Sequence, residues 1–218
     1  IAVEIACDKE ETKNLLEAMS VPVPRGRVIY DEEDLGLALD SIGFPVVLKP
    51  VGGNHGRGAT INITTRKEAV EALALAKKIS RGVIAEKFIT GYDYRLIVIN
   101  FKFIAAAKRT PAMVTGDGKS TVQEWVEIVN SDKRRGYGHE KVLTSIKIDE
   151  MTMQILAEKE LTLDSVLKKG EILYLKRTAN LSTGGTSTDV TDIVHPDNVF
   201  MAERIARIIN LDIWGIDI

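Results

Sequence analysis

The chain has 218 residues, of which 29 are Lys or Arg and 31 are Asp or Glu, giving a formal net charge of -2. That balance excludes the general electrostatic pull toward nucleic acid or an anionic membrane that a strongly basic chain exerts. One cysteine, Cys7, excludes an internal disulfide and a cysteine-based zinc site and fits a reducing cytosol. The longest apolar stretch, Leu96 to Ala107, is interrupted by Asn100 and Lys102 and cannot span a bilayer. Ile1 at the start and an apolar strand pattern over 211–218 at the end are what a segment of a longer protein would show.

Taken in chain order, Asp8 stands three residues before Glu11, a carboxylate capping box, and the helix it opens carries Leu15, Leu16 and Met19 on one face. Pro22 and Pro24 end it, and Arg27 to Tyr30 follow as a short strand. Asp31 to Ile42 is a second helix stopped by Gly43, and Val46 to Leu48 is a strand that delivers Lys49 to its end. A glycine-rich loop leads to a strand over 60–63. Thr65 and Glu68 then form a capping box for a helix with Val70, Leu73 and Ile79 inward. Val83 to Phe88 is a strand, and Tyr94–Ile99 with Phe103–Ala107 form a hairpin around Asn100. Asp117-Gly118 is a turn, and Ser120 with Gln123 caps a helix running to Val129.

The segment from Asn130 to Thr144 is polar, basic and aperiodic, and reads as a long surface loop of the kind that carries function. A helix over 151–160, a short helix ending at Gly170 and a strand over 172–176 come next. A polar loop spans 180–187, and a helix spans 196–209 with Val199, Ala202, Ile205, Ala206 and Ile209 on one face; His195 before Pro196 serves its start. Hairpins mixed with strand–helix alternation predict α+β rather than a doubly wound sheet.

Among candidate sites, Lys49 and Gly52-Gly53-Asn54-His55-Gly56-Arg57-Gly58 are the strongest local signal. Backbone N–H groups of a glycine loop can approach an anion, and Lys49 and Arg57 add charge. The pattern is neither a P-loop nor a dinucleotide fingerprint, and taken alone it fits a phosphate cradle or an ordinary connection equally well. Glu86-Lys87-Phe88-Ile89 followed by Asp93 could offer backbone groups to a heterocycle and carboxylates to hydroxyls, or could be a plain strand end. His139 and His195 have no metal-ligand spacing with each other or with Cys7.

The order of these pieces carries more than any one of them. Asp8-Lys9-x-x-Thr12-Lys13, Leu48-Lys49-Pro50, the glycine loop, Glu86 to Asp93 and Gly215-Ile216-Asp217 together resemble the ATP-grasp superfamily along essentially the whole chain. Residues 52–58 and 134–140 resemble the ATP-grasp region of the cyanophycin synthetase family. Residues 179–185 with 189–192 are similar both to that family and to the bifunctional glutamate–cysteine ligase/glutathione synthetases.

The resemblance implies an ATP-grasp fold of two α+β halves clamping ATP: a linker helix over 1–20, a lid over 21–85 and a larger, incomplete half over 86–218. It implies an ATP- and magnesium-dependent ligase that phosphorylates a carboxylate and lets an amine attack the acylphosphate. Aspartate would thereby be added to an aspartate–arginine polymer primer, within a homo-oligomeric whole protein. Lys9 and Lys49 match phosphate-binding lysines, residues 52–58 the closing flap, Glu86 to Ile89 the adenine hinge, Asp93 the ribose acid and Asp217 the first metal ligand. Arg95 and Arg177 are expected to stabilise the reacting carboxylate, with His55 as an acid–base candidate. Arg134 and Arg135 are expected to bind the polymer, and Asn180, Ser182, Thr183, Gly184 and Gly185 the acceptor end. A glutathione-forming ligase and a non-catalytic nucleotide-binding module are the alternatives.

Overall fold

The computed structural model describes residues 2–52, 58–138 and 140–218. The chain divides into two compact units. One comprises Ile1–Gly91, Leu96–Ile104 and Ile193–Ile216; the other comprises Tyr92–Arg95, Ala105–Asp192 and Asp217–Ile218. The elements in order are α1 Ala2–Cys7, α2 Lys9–Ala18, β1 Gly26–Ile29, α3 Glu32–Ile42, β2 Val46–Pro50, β3 Thr60–Ile63, α4 Arg66–Lys77 and β4 Val83–Lys87. They continue with β5 Asp93–Ile99, β6 Lys102–Thr110, β7 Met113–Thr115, α5 Val122–Asn130, β8 Arg135–Gly136, β9 Leu143–Thr144 and α6 Glu150–Glu158. The last are β10 Ile172–Tyr174, β11 Thr186–Asp189, α7 Pro196–Ile209 and β12 Ile213–Asp217. Helices mixed with antiparallel sheets make the chain α+β, as the sequence pattern predicts.

The first unit contains an antiparallel sheet of order β1-β4-β2-β3. Alternation along β2 and β4 decides which residues are buried. Val46, Leu48, Val83 and Ala85 face inward and pack with Leu35, Leu39, Ile42, Leu73 and Ala76 of α3 and α4. Val47, Lys49, Ile84 and Glu86 therefore share the opposite face, with Val47 opposite Glu86 and Lys49 opposite Ile84. Asp31 caps α3, and Thr65 with Glu68 forms the expected box at α4. Ile79 is exposed rather than inward, because α4 ends at Lys77 and the chain turns away before the next inward position.

The second unit is built on Val114, Val122, Val126, Ile146, Leu156, Leu167, Leu173 and Leu175. β11 runs antiparallel to β6, with Ser187 opposite Arg109. Three expectations need correction here. The cap of α5 is Thr121 with Glu124, not Ser120 with Gln123, because the Ser120 hydroxyl and N–H are both committed to Asp117. Residues 161–170 form no helix. Their carbonyls at Ser165 and Leu163 accept from Val122 and Gln123, two donors that the first turn of α5 leaves without an intrahelical partner. The 130–144 segment is not wholly a surface loop, since β8 and β9 pair in parallel within it and Arg135 is buried. In the first unit His195 caps α7 as expected, its Nδ1 accepting from the Asp197 N–H at 3.2 Å. Among the described residues no helix is long and apolar enough to cross a membrane.

Candidate functional site

The first unit gathers three lysines around one carboxylate. Asp8 accepts from the Glu10 and Glu11 N–H groups, which starts α2 at Lys9 and puts Lys13 one turn further along the same face. Strand alternation brings Lys49 and Glu86 to the face described above. Lys49 Nζ lies 2.6 Å from Glu86 Oε2, and Lys13 Nζ lies 3.4 Å from Glu86 Oε1. Glu86 is able to lie there because its partner across the strand is Gly26, where a Cβ would sit 2.7 Å from Glu86 Cγ and 2.3 Å from the Ala85 carbonyl oxygen. Lys9 donates to the Val51 carbonyl at 3.5 Å.

Burial and then the nearby Lys49 charge hold the Lys9 amine below its usual pKa, with Glu86 pulling the other way. Three ammonium groups against one carboxylate leave an excess of positive charge at one spot. A polyphosphate fits that donor set. A recess of about 270 Å³ adjoins it, lined by Lys9, Glu10, Lys13, Asn14, Gly26, Arg27 and Ile84 among others; the Glu10 carboxylate there is offset by the Arg27 guanidinium, so the excess of positive charge remains.

The remaining candidates of this unit fall unevenly. Gly52 is exposed, and Gly58 has φ +69°, a conformation for which glycine is the natural residue. Gly53, Asn54, His55, Gly56 and Arg57 lie outside the described residues. In the segment expected to be the hinge, Lys87 Nζ donates to the Gly43 and Phe44 carbonyls at 3.2 and 2.5 Å, and the Phe88 N–H to the Pro45 carbonyl at 3.0 Å. These bonds tie the end of β4 to the α3–β2 turn and leave Ile89 exposed.

The second unit holds a different kind of cluster, two carboxylates and two guanidinium groups. Arg109 Nε lies 2.5 Å from Asp93 Oδ1, and its Nη2 lies 3.0 Å from Asp217 Oδ1. Arg95 Nε reaches the same Asp217 oxygen at 3.0 Å. Burial opposes the Arg109 charge, yet hydrogen bonding to Asp93 and the attraction of Asp217 hold its pKa above the ordinary value. Sequence reasoning missed Arg109 because it ends the hairpin at Ala107; β6 continues to Thr110. The signal was present: a strand of period two extended by two residues puts Arg109 on the Ala107 face. Asp217 thus shares one carboxylate oxygen between two arginines, and among the described residues no three His, Cys, Asp or Glu side chains converge.

Arg177 pairs with Glu158, while its neighbour Lys176 is buried and bonds Asp149 at 2.6 Å, Thr152 Oγ1 at 2.9 Å and the Lys147 carbonyl at 3.0 Å. Asn180 precedes a single 3-10 turn over Leu181–Thr183, and Thr183 Oγ1 donates to the Asn180 carbonyl at 3.0 Å, leaving Ser182 exposed. Gly184 follows at φ +94°. Gly185 lies so close to the backbone that a Cβ would sit 2.7 Å from the Thr110 carbonyl oxygen. Arg134 and Arg135 part company. Arg134 is exposed and pairs with Asp132 at 2.7 Å, whereas Arg135 Nη1 donates to the Thr144 and Gly184 carbonyls at 2.6 and 2.9 Å. The surface-loop expectation therefore holds for Arg134 and not for Arg135, which is buried and fastens the 180–185 loop.

The ATP-grasp domain family matches residues 14–128. The whole chain is 55% identical to a cyanophycin synthetase from Crocosphaera subtropica, of which it covers 25%, and 37% identical to the glutathione biosynthesis bifunctional protein of Listeria monocytogenes, of which it covers 29%. The chain thus spans about a quarter of the length of the curated relatives it matches. A solved bifunctional glutathione synthetase from Pasteurella multocida superposes on 95% of the chain at TM-score 0.62 and 30% identity, with 28% of that protein covered.

Proposed function

The chain belongs to the ATP-grasp domain family, and on that premise we propose that it is the ATP-binding part of a carboxylate–amine ligase of the cyanophycin synthetase type. One observation carries the reading: identity over the whole chain is 55% to the Crocosphaera enzyme and 37% to the Listeria protein. In this reading residues 21–85 form the lid half and 86–218 the larger half. ATP, when bound, supplies the phosphoryl group that activates a carboxylate, and magnesium accompanies it.

The chain's own residues bind and orient. Lys9 and Lys49, with Lys13 beside them, hold the polyphosphate and neutralise charge as it develops. Asp93 accepts from the ribose hydroxyls. Arg95 and Arg177 steady the reacting carboxylate through charge-assisted bonds. The Asn180–Gly185 loop, fastened by Arg135, presents backbone donors to the acceptor, and the exposed Arg134 meets acidic groups of the polymer.

The test is ADP release by the full-length protein. Release that requires both aspartate and a short aspartate–arginine primer is the expected result. The likeness to the glutathione proteins of Listeria and Pasteurella favours a second reading, on which release would instead require γ-glutamylcysteine and glycine. ATP binding with no release under either condition would leave a nucleotide-binding module and overturn both.

A further inference from the structure

We infer that Arg109 is a positioning residue for nucleoside recognition: it fixes the Asp93 carboxylate against Asp217 so that Asp93 meets the ribose hydroxyls. The inference rests on the ribose assignment of Asp93 proposed above. Three observations carry it. First, the Arg109 side chain is 14% exposed, and two of its nitrogens engage two different carboxylates, Nε with Asp93 at 2.5 Å and Nη2 with Asp217 at 3.0 Å. A planar guanidinium held at two points cannot pivot, so it sets the spacing of those carboxylates as a lysine could not. Second, Asp93 stays 42% exposed while one of its oxygens is held by Arg109, so a carboxylate of fixed direction remains open to hydroxyl donors. Third, the Asp217 oxygen that braces Arg109 Nη2 is also held by Arg95 Nε at 3.0 Å, so the anchor on the far side of Arg109 is itself fixed in place.

The chemistry that such a fixed carboxylate reads is a vicinal diol. The experiment uses the full-length protein and compares dissociation constants for ATP and 2′,3′-dideoxy-ATP by calorimetry, with circular dichroism checking that each variant is folded. The wild type is expected to favour ATP by at least about tenfold. R109Q should bring that ratio within about threefold, chiefly by weakening ATP, and R109K, which keeps the charge but not the fork, should fall in between. D93N should lower the ratio as far as R109Q does, and R109Q added to D93N should change it by less than about twofold, because Arg109 acts through Asp93. A wild type that binds both nucleotides equally overturns the ribose assignment and this inference together. A wild type that discriminates while R109Q and R109K discriminate equally well overturns the inference alone, as does an R109Q effect of equal size with and without Asp93. If R109Q does not fold, R109K alone and R109K added to D93N separate the same outcomes.

Discussion

Replacing Glu86 by Gln should destabilise the protein by about 2–3 kcal/mol at neutral pH. Removing one partner of a buried ion pair costs roughly 3–5 kcal/mol, because the other charge is left without compensation. Glu86 is 11% exposed and Lys13 12%, but Lys49 is 31% exposed and 2.6 Å away, so solvent screens part of what would be stranded. That brings the figure just below this range, to the ~2–3 kcal/mol above, or a fall in Tm of roughly 4–12 °C for a domain of this size. The pH dependence has a definite sign. Lys9 already holds its proton more weakly in the fold than in the unfolded chain, and Glu86 is the influence that raises its affinity. In E86Q the folded form therefore sheds the Lys9 proton more readily while the unfolded form keeps it, and stability rises with pH toward the ordinary lysine value of 10.5. Thermal unfolding of wild type and E86Q at pH 7 and pH 10, with and without tripolyphosphate, reads all of this. The deficit should shrink at pH 10, and tripolyphosphate should stabilise E86Q more than wild type. A Tm change under about 2 °C, or a deficit indifferent to both pH and polyphosphate, would refute the idea that Glu86 balances an excess of positive charge.

Lys49→Ala should abolish measurable ATP binding in calorimetry on folded protein, since it removes a full charge from the proposed polyphosphate site; unchanged affinity would refute this. Arg134→Ala should raise the KM for primer and weaken its salt dependence while leaving the KM for ATP alone. Arg135→Ala should instead lower stability by about 1–3 kcal/mol in urea unfolding, because it strands two buried carbonyls. In acid, hydrogen bonds to Asp117 from the Ser120 and Lys119 N–H groups, and to Asp132 from the Arg134 side chain, hold both carboxyls down at about 2 against an ordinary 3.8. Their stabilisation is complete above pH 4 and is lost as pH falls through 2, so D117N should show a shallower fall in Tm than wild type between pH 4 and pH 2.

Several elements are legible from the residues alone because their causes are local. Thr65 with Glu68, Asp8, Asp31 and His195 announce helix starts whose hydrogen bonds close within four residues. The Asn100 turn is visible because Asn readily adopts the positive φ that a tight hairpin needs; that Phe101 adopts it too is seen only in the structure. The pattern misleads where a distant partner decides the outcome. Ser120 is a good cap by type, but Asp117 claims it. Residues 161–170 carry helical spacing, but their carbonyls are needed at the start of α5.

The sequence by itself determined the α+β class, the chain order of the helices, the strand that delivers Lys49, and the motif series that places the chain in its family. These follow from side-chain periodicity, capping chemistry and short-range spacing. Only the tertiary structure decided that Lys13 joins Lys49 on Glu86, that Gly26 makes room for them, that Arg109 bridges Asp93 and Asp217, and that Arg135 is buried while Arg134 is not. Most of these depend on pairing between residues tens of positions apart in the chain. Strand register and burial are set by the whole packed core, so a charged residue's partner, unlike its secondary structure, has no local signature.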